Sequence, residues 1–228
     1  MSTLDGPRVA AASGAAAQLI VLCHGYGSDG NDLIGLAPHW RNYLPHAAFV
    51  APNAPQRHPM GPGYQWFPLS RIDPEEALRG TEAAAPLLNS FIDAELARLG
   101  LPGNKLALVG FSQGTMMSLY VGLRRPVVPA AIIGFSGVLV GADTVPASAA
   151  RPPVLLVHGD ADQIVPPQAL LMAANALAGM GVPVQWHMSK GLAHGIDGFG
   201  LALAGRFLGD AFSGRAPRTG PVTAPPGR

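Results

Sequence analysis

Residues 105–114 read Lys105-Leu106-Ala107-Leu108-Val109-Gly110-Phe111-Ser112-Gln113-Gly114. The apolar run that ends at Val109 predicts a buried strand, and the stretch from Gln113 to Arg124 predicts a helix directly after it. Between them lies a G-x-S-x-G pattern, which in this context forms a tight turn that lifts the serine hydroxyl above a sheet. Glycines on both sides remove side chains that would clash in such a turn. The stretch predicts an α/β fold with Ser112 as a nucleophile.

The alternation of strand and helix extends along the chain. Apolar runs bounded by Gly, Pro, Asn or Asp predict strands, and longer amphipathic stretches predict helices. This order favours a mostly parallel central sheet flanked by helices on both faces. Pro86 falls inside a predicted helix and indicates a kink or two shorter helices. The other predicted strands are Gln18 to Cys23, Ala47 to Ala51, Ala130 to Phe135, Val154 to His158 and Val182 to Met188; the other helices are Pro74 to Leu99, Pro167 to Met180 and Phe199 to Phe212.

The length of 228 residues fits one domain. We expect the catalytic domain to span residues 18–212. The small, Ala-rich segment 1–17 is expected to be poorly ordered, and the Pro-, Gly-, Arg- and Thr-rich tail 213–228 to be disordered. Residues 52–73 contain five prolines and three aromatic residues, which predicts a long ordered loop of the kind that is often functional.

Charge and composition limit the classes of partner. The formal net charge is +1, so nothing favours nucleic acid or an anionic membrane. The apolar runs are strand-sized, which excludes a membrane span, and the amino terminus does not resemble a signal peptide. Cys23 is the single cysteine, so no internal disulfide forms. We expect a soluble, cytoplasmic protein, and a homodimer is one assembly that the sequence leaves open.

A serine hydroxyl needs an adjacent base, and histidine has a suitable pKa. In chains with this turn the order is Ser, then Asp or Glu, then His. Three histidines follow Ser112. His194 lies in a glycine-flanked loop after the last strand, so it is the predicted base. His187 falls within that strand and His158 lies at a strand edge before the acid, which favours packing roles for both.

Two aspartates compete for the role of the orienting acid. Asp160 and Asp162 both follow the strand that ends at His158, so position alone does not separate them. Asp162 lies deeper in the loop and has more reach towards His194, while the other aspartate would make local turn hydrogen bonds. Asp197 comes just after His194 and is expected to cap the last helix instead.

Two further residues are candidate nucleophiles. Gly134-Phe135-Ser136-Gly137 also ends a strand with a serine, but it lacks the second spaced glycine and a periodic helix after it. A polar turn is therefore the favoured interpretation of Ser136. Cys23 ends a strand without such a turn, which indicates a small buried apolar residue.

Acyl transfer passes through an oxyanion that backbone amides stabilise. The amide of Gln113, next to the nucleophile, and that of Tyr26, in the glycine-rich loop after the first strand, are the predicted donors. A plain glycine-rich turn is the alternative for Tyr26. Side chains from the proline-rich loop are predicted to wall the acyl or alcohol site, although loop aromatics serve about as often in packing. These predicted substrate-binding residues are Trp66, Phe67, Leu69 and Met60.

Taken together, these stretches resemble the phospholipase/carboxylesterase family, whose best-known branch is the acyl-protein thioesterases. The resemblance extends from about Gln18 to Phe212. The matching stretches are Leu22 to Gly27 with Asp29 to Asp32, Ala51 to Pro55, Trp66-Phe67, Gly110 to Gly114, His158 to Pro166 and Gly191 to Gly195.

The resemblance implies an α/β-hydrolase fold without a large lid, a metal or a cofactor. It assigns Ser112, Asp162 and His194 to a catalytic triad, which decides between the two aspartates, and the amides of Tyr26 and Gln113 to the oxyanion hole. The family often has Leu at the position of Tyr26. Because the amide is the working group, this change is expected to leave the oxyanion role intact and to reshape the acyl pocket.

The expected function is that of a serine carboxylesterase acting through an acyl-enzyme intermediate. Its substrates would be small carboxylic esters, with thioesters and lysophospholipids as further options. An acyltransferase with the same triad and a non-catalytic binding protein with the same fold are the alternatives.

Overall fold

The structure is a computed structural model that describes residues 4–69, 73–147, 149, 151–215 and 218–224. Its strands are β1 (Arg8–Val9), β2 (Gln18–Cys23), β3 (Ala47–Val50), β4 (Gln56–Arg57), β5 (Tyr64–Gln65), β6 (Leu106–Phe111), β7 (Ala131–Phe135), β8 (Val154–Gly159), β9 (Val184–Ser189) and β10 (Gly220–Pro221). Its α-helices are α1 (Gly30–Ile34), α2 (Ala37–Arg41), α3 (Pro74–Leu99), α4 (Gln113–Gly122), α5 (Gln168–Gly179) and α6 (Gly198–Phe212).

Eight strands form one sheet in the order β1-β3-β2-β6-β7-β8-β9-β10, and β4 and β5 form a separate hairpin. Among the described strands of the large sheet, only the edge strand β1 is antiparallel to its neighbour, and all other adjacent pairs are parallel. The predicted mostly parallel sheet is therefore confirmed. The strand order changes direction between β2 and β6, and ligands of α/β proteins bind outside the carboxyl ends of strands at such a switch point. Ser112 follows β6, and the loop with Tyr26 follows β2.

Strands in the centre of the sheet are buried on both faces, as in other parallel sheets. In β2, Leu19 and Val21 belong to the core on the face that α3, α4 and α5 cover, while Ile20 and Leu22 belong to the core on the opposite face, which α2 and α6 cover. The helices thus cover both faces, and no large lid lies over the sheet within the described residues. No helix in the described part of the chain combines the length and apolar character needed to cross a bilayer.

Predicted and observed elements differ in a few places. The six predicted strands and four predicted helices are present, with ends shifted by at most two residues. Helices α1 and α2 were not predicted, since five residues are too few to reveal a helical period. The division of α3 into two helices is wrong: α3 is continuous through Pro86, which lies on its exposed side. The predicted loop 52–73 contains the β4–β5 hairpin, and its residues 70–72 lie outside the described ranges.

The large sheet extends beyond the predicted domain bounds. At one edge Arg8 and Val9 pair with β3, and at the other β10 pairs with β9. The side chain of Arg8 also binds Glu95 of α3 with its Nε and Nη2 atoms at 3.0 and 2.7 Å. The order of segments 1–17 and 213–228 stays a prediction, and residues 1–3, 216–217 and 225–228 lie outside the described residues.

Replacing Arg8 tests whether this contact anchors the amino-terminal segment. Glu95 is buried and also binds Arg98. Burial raises its pKa, but hydrogen bonds and charges from Arg8 and Arg98 outweigh burial and lower the pKa overall. Arg8→Met keeps the aliphatic stem and is expected to lower the free energy of unfolding at neutral pH by about 1–3 kcal/mol.

Urea unfolding at neutral and acidic pH checks this expectation. A carboxyl group with a lowered folded pKa contributes stability above its unfolded pKa, about 4.3, and loses it as the pH falls through the folded value. The difference between wild type and Arg8→Met should therefore shrink at about pH 3.5. The control is Arg79→Met, whose exposed pair with Glu75 should contribute less than about 1 kcal/mol. An equal loss for both variants would contradict the anchoring role.

Candidate active site

The backbone at Ser112 is strained. Its φ of 54° and ψ of −116° lie in a region of backbone angles that residues with a Cβ rarely adopt. The neighbouring structure holds this conformation on both sides: the Ser112 amide donates to the Phe135 carbonyl at 2.9 Å, and the Thr115 amide donates to the Ser112 carbonyl at 3.0 Å. Strain of this kind persists only where its surroundings enforce it, as at catalytic turns.

Both glycines of the G-x-S-x-G pattern lie where a side chain would strike backbone. A Cβ at Gly110 would lie 2.2 Å from the Gly114 carbonyl oxygen, and a Cβ at Gly114 would lie 1.9 Å from the Cys23 carbonyl oxygen. The first turn of α4 therefore presses against the ends of both β6 and β2. This close approach places the start of α4, which begins at Gln113, beside His24 at the start of the loop that follows β2.

Asp162 and His194 are in direct contact. Nδ1 of His194 lies 2.7 Å from Oδ2 of Asp162, whose side chain is fully buried. The other carboxylate oxygen accepts the amides of Ile164 and Val165 at 2.8 and 2.9 Å. The ring of His194 also lies against Phe111, with 4.9 Å between centroids, and Phe111 is the residue before Ser112. The predicted acid, base and nucleophile segments thus converge.

The environment of Asp162 favours the ionised carboxylate. Burial raises its pKa, but the hydrogen bonds from His194, Val165 and Ile164 more than offset burial, and the pKa is lowered overall. An ionised carboxylate only accepts hydrogen bonds, so Nδ1 of His194 must carry a proton. A neutral His194 then has its lone pair on Nε2, which is the form that a general base needs.

The two competing aspartates have other roles. Oδ1 of Asp160 accepts the Gly191 amide at 2.6 Å, so this residue ties the loop after β8 to the loop that carries His194. Asp197 caps α6 by accepting the Gly200 amide, as predicted. The geometry therefore separates Asp162 from both.

The other two histidines that follow Ser112, His158 and His187, and the cysteine Cys23 are buried, as predicted. His187 is buried, with its Nδ1 donating to the Val222 carbonyl. His158 is also buried, but its Nε2 lies near both Val165 and Asp162, a contact that the sequence did not indicate. Burial raises the pKa of the Cys23 thiol to about 12, which keeps it protonated and unreactive.

Ser136 supports the site without resembling a nucleophile. It is fully buried, and its hydroxyl donates to the Gly195 carbonyl at 3.2 Å. Its φ of 47° makes it, with Ser112, one of two residues other than glycine with a positive φ in the described chain. The sequence predicts a polar turn here, but it indicates neither the strained backbone nor the bond to the residue after His194.

The predicted oxyanion loop is tied to two other segments. His24 is buried: Nε2 accepts the Ala54 amide at 2.9 Å, and Nδ1 donates to the Gly25 carbonyl. Burial lowers the pKa of His24, which keeps the ring neutral as this arrangement requires. The Gly27 amide donates to the Tyr64 carbonyl of the β4–β5 hairpin at 2.8 Å. These bonds fix the backbone on both sides of Tyr26.

The side chain of Gln113 is also fully engaged. Its Oε1 accepts the Trp66 amide at 2.8 Å, and its Nε2 donates to the Phe67 carbonyl at 2.9 Å. The Trp66 indole in turn donates to the His24 carbonyl at 3.0 Å. Trp66 thus links Gln113 to His24, which lies two residues before Tyr26 in the predicted oxyanion loop.

The predicted substrate-binding residues fall into two groups. Trp66 and Phe67 have exposed fractions of 0% and 2%, so they act in this conformation as supports for Gln113. Leu69 is half-buried against the core on the α3 side of the sheet, whereas Met60 is 91% exposed at the tip of the β4–β5 hairpin. Contact of these four with substrate stays a prediction.

The chain is similar in sequence to known esterases and thioesterases. A family model described as Phospholipase/Carboxylesterase matches residues 4–210. Acyl-protein thioesterase 1 of Schizosaccharomyces pombe is 34% identical over 168 residues, which cover 69% of this chain and 73% of the relative. Esterase YpfH of Escherichia coli is 27% identical over 190 residues, covering 83% and 81% respectively.

Solved structures show the same fold. The crystal structure of esterase PE8 is 46% identical with a TM-score of 0.87, covering 91% of this chain and 98% of that one. A carboxylesterase from Mesorhizobium loti has a TM-score of 0.75 at 23% identity, covering 90% and 94%, and supports the fold alone. The chain belongs to the phospholipase/carboxylesterase family of α/β-hydrolases and is a carboxylic ester hydrolase.

Gly114→Ala tests the close approach of α4 to β2. The added methyl group meets backbone rather than a flexible side chain, so α4 must move away from β2. We expect a loss of stability of about 1–3 kcal/mol and a fall in esterase activity of about 100-fold, since a misplacement of about 1 Å has such an effect.

Thermal unfolding and hydrolysis of a p-nitrophenyl ester measure the two effects. Gly179→Ala is the matched control, because a Cβ at Gly179 in α5 meets nothing within 4 Å. It should leave activity unchanged and stability equal or slightly higher. Wild-type activity in Gly114→Ala would rule out the close approach as a constraint.

Proposed function

We propose that this member of the phospholipase/carboxylesterase family is a serine carboxylesterase that uses Ser112, His194 and Asp162 as a catalytic triad. The observation that carries the proposal is the 2.7 Å contact between His194 and the buried Asp162, beside a strained serine turn. The contact joins two segments that are 32 residues apart, and the ring contact between His194 and Phe111 brings the turn with Ser112 beside them. The chemistry of the three residues matches nucleophile, base and orienting acid. Small carboxylic esters and thioesters are the proposed substrates.

The first half of the cycle acylates Ser112. Nε2 of His194 removes the hydroxyl proton while Oγ attacks the substrate carbonyl carbon. The negative charge that develops on the carbonyl oxygen is stabilised by the amides of Tyr26 and Gln113. The amide of Gln113 has no acceptor within α4, because it belongs to the first residue of that helix. The positive end of the helix also favours charge at this point.

The second half of the cycle releases the acyl group. Collapse of the tetrahedral intermediate breaks the bond to the alcohol or thiol, which leaves with the proton held by His194. A water molecule then attacks the acyl-enzyme, His194 accepts its proton, and Ser112 recovers its own when the acid departs. Asp162 stays ionised throughout and stabilises the imidazolium that forms twice per cycle.

The same mechanism can cleave esters and thioesters, because Ser112 would attack a carbonyl carbon in both. The two substrates differ only in the leaving group, which is an alcohol or a thiol. The relative with 34% identity is named a thioesterase, and the structure with 46% identity is named an esterase. An acyltransferase would use the same steps with an alcohol in place of water. Product analysis in the presence of added alcohol separates the two reactions.

Covalent labelling tests the nucleophile directly. A fluorophosphonate probe is expected to label the wild type once, at Ser112, and to leave a folded Ser112→Ala variant unlabelled. Ester hydrolysis by that variant should fall by about 10⁶-fold. Ser136→Ala is the matched control: the Ser136 hydroxyl is buried against the Gly195 carbonyl, so labelling should persist without it. An unlabelled, folded wild type would refute the enzyme mechanism.

Asparagine substitutions test which aspartate orients the base. Both oxygens of Asp162 accept hydrogen bonds, so in Asp162→Asn an NH₂ group must face a donor. If it faces His194, the ring adopts the wrong tautomer, and kcat should fall by about 10⁴-fold. Asp160→Asn retains an oxygen for the Gly191 amide and should stay within about tenfold of wild type. Steady-state kinetics on one ester distinguishes these outcomes, and equal losses would contradict the assignment.

A further inference from the structure

His158 belongs to β8, yet it reaches the loop that carries the catalytic acid. It is 1% exposed, and its Nε2 lies 3.0 Å from the Val165 carbonyl oxygen and 3.2 Å from Oδ2 of Asp162. Both neighbours are oxygen atoms that accept hydrogen bonds. A lone pair on Nε2 would face two such oxygens, so Nε2 must carry a proton. The tautomer of His158 therefore follows from its surroundings.

The proton of His158 closes a small ring of contacts around the acid. His158 donates to the Val165 carbonyl, while the Val165 amide donates to Oδ1 of Asp162. The approach of Nε2 to Oδ2 completes the ring. Strand β8 is held between β7 and β9, so the histidine projects from a rigid element onto a loop.

The carboxylate of Asp162 needs this support for two reasons. Its side chain is fully buried, and a buried negative charge is costly unless several donors surround it. It must also keep Oδ2 directed at Nδ1 of His194 while that ring gains a proton in each half of the cycle. The amides of Ile164 and Val165 hold only Oδ1, so His158 is the neighbour that faces Oδ2 from the strand.

We propose that His158 is a positioning residue of the catalytic site, which acts through Asp162 by holding Val165 and bordering Oδ2 so that the carboxylate stays aligned with His194. This inference rests on the proposed triad. His158 takes no part in proton transfer with the substrate, and its effect reaches the reaction only through the acid.

A double-mutant cycle tests the inference. His158→Phe keeps a ring but removes the donor. We expect kcat for a p-nitrophenyl ester to fall by about 10-fold, as is usual when a residue that orients a catalytic residue is lost. KM should change by less than about twofold, because no substrate contact is lost. His158→Gln places a donor near the position of Nε2 and should recover most of the rate.

The decisive measurement uses Asp162→Ala as the second background. If His158 acts through the acid, adding His158→Phe to that variant should lower kcat by less than about twofold. A full tenfold loss there, or wild-type kcat in His158→Phe alone, would overturn the inference. Should His158→Phe not fold, His158→Asn takes its place in the cycle, since its shorter amide does not reach Val165.

Two controls accompany the double-mutant cycle. His187 is buried on the adjacent strand, opposite Val157, and binds the Val222 carbonyl, so His187→Phe should keep kcat within about twofold of wild type. Fluorophosphonate labelling of wild-type Ser112 distinguishes failure of the His158 inference from failure of the proposed function. If the wild type is labelled but the losses in the double-mutant cycle are additive, only the role of His158 is refuted. If the wild type is not labelled, the proposed function is refuted and this inference with it.

Discussion

The first turn of α4 touches the ends of two neighbouring strands, and the rest of the site depends on this contact. Gly110 and Gly114 have no room for a Cβ, because the Gly114 carbonyl and the Cys23 carbonyl occupy the space. The chain can turn from β6 into α4 at such short range only if Ser112 accepts a positive φ. The same contact brings the first amide of α4 beside the loop after β2. The strain at Ser112 and the position of the predicted oxyanion donor thus have a common steric origin.

The acid side of the site is governed by hydrogen bonding rather than by steric contact. Asp162 is buried and remains ionised because its two oxygens are surrounded by donors. Those donors come from the loop that contains Asp162, from the loop of His194 and from β8. A carboxylate held in this way has one orientation, and that orientation determines the tautomer of His194. The tight turn at Ser112 positions the proposed nucleophile by excluding volume, whereas the loop with Asp162 positions the proposed base by satisfying a buried charge.

Local patterns predicted the longer regular elements and the candidate catalytic residues, but not the contacts between segments. The stretch around Ser112 contains its own strand, turn and helix, so its geometry can be inferred from adjacent residues. Asp160 and Asp162 share one strand end, so position along the chain does not separate them, whereas the fold does by bringing Gly191 to one and His194 to the other. The strain at Ser136 has no local signal, since it depends on the placement of Val157 and Gly195. Short elements such as α1 lack a period long enough to detect.

The stretches that carry the family resemblance are also the stretches that bind one another. His24 holds the Ala54 amide, Gln113 binds Trp66 and Phe67, and His194 binds Asp162. Each of these bonds joins residues separated by at least 30 positions, and each involves a proposed catalytic or oxyanion residue or, for His24, a residue two positions from one. A substitution in one member of such a pair is therefore expected to alter the position of the other. A site assembled from mutually supporting backbone segments depends on such pairs, because a motif that lost its partner would keep its residues and lose its geometry.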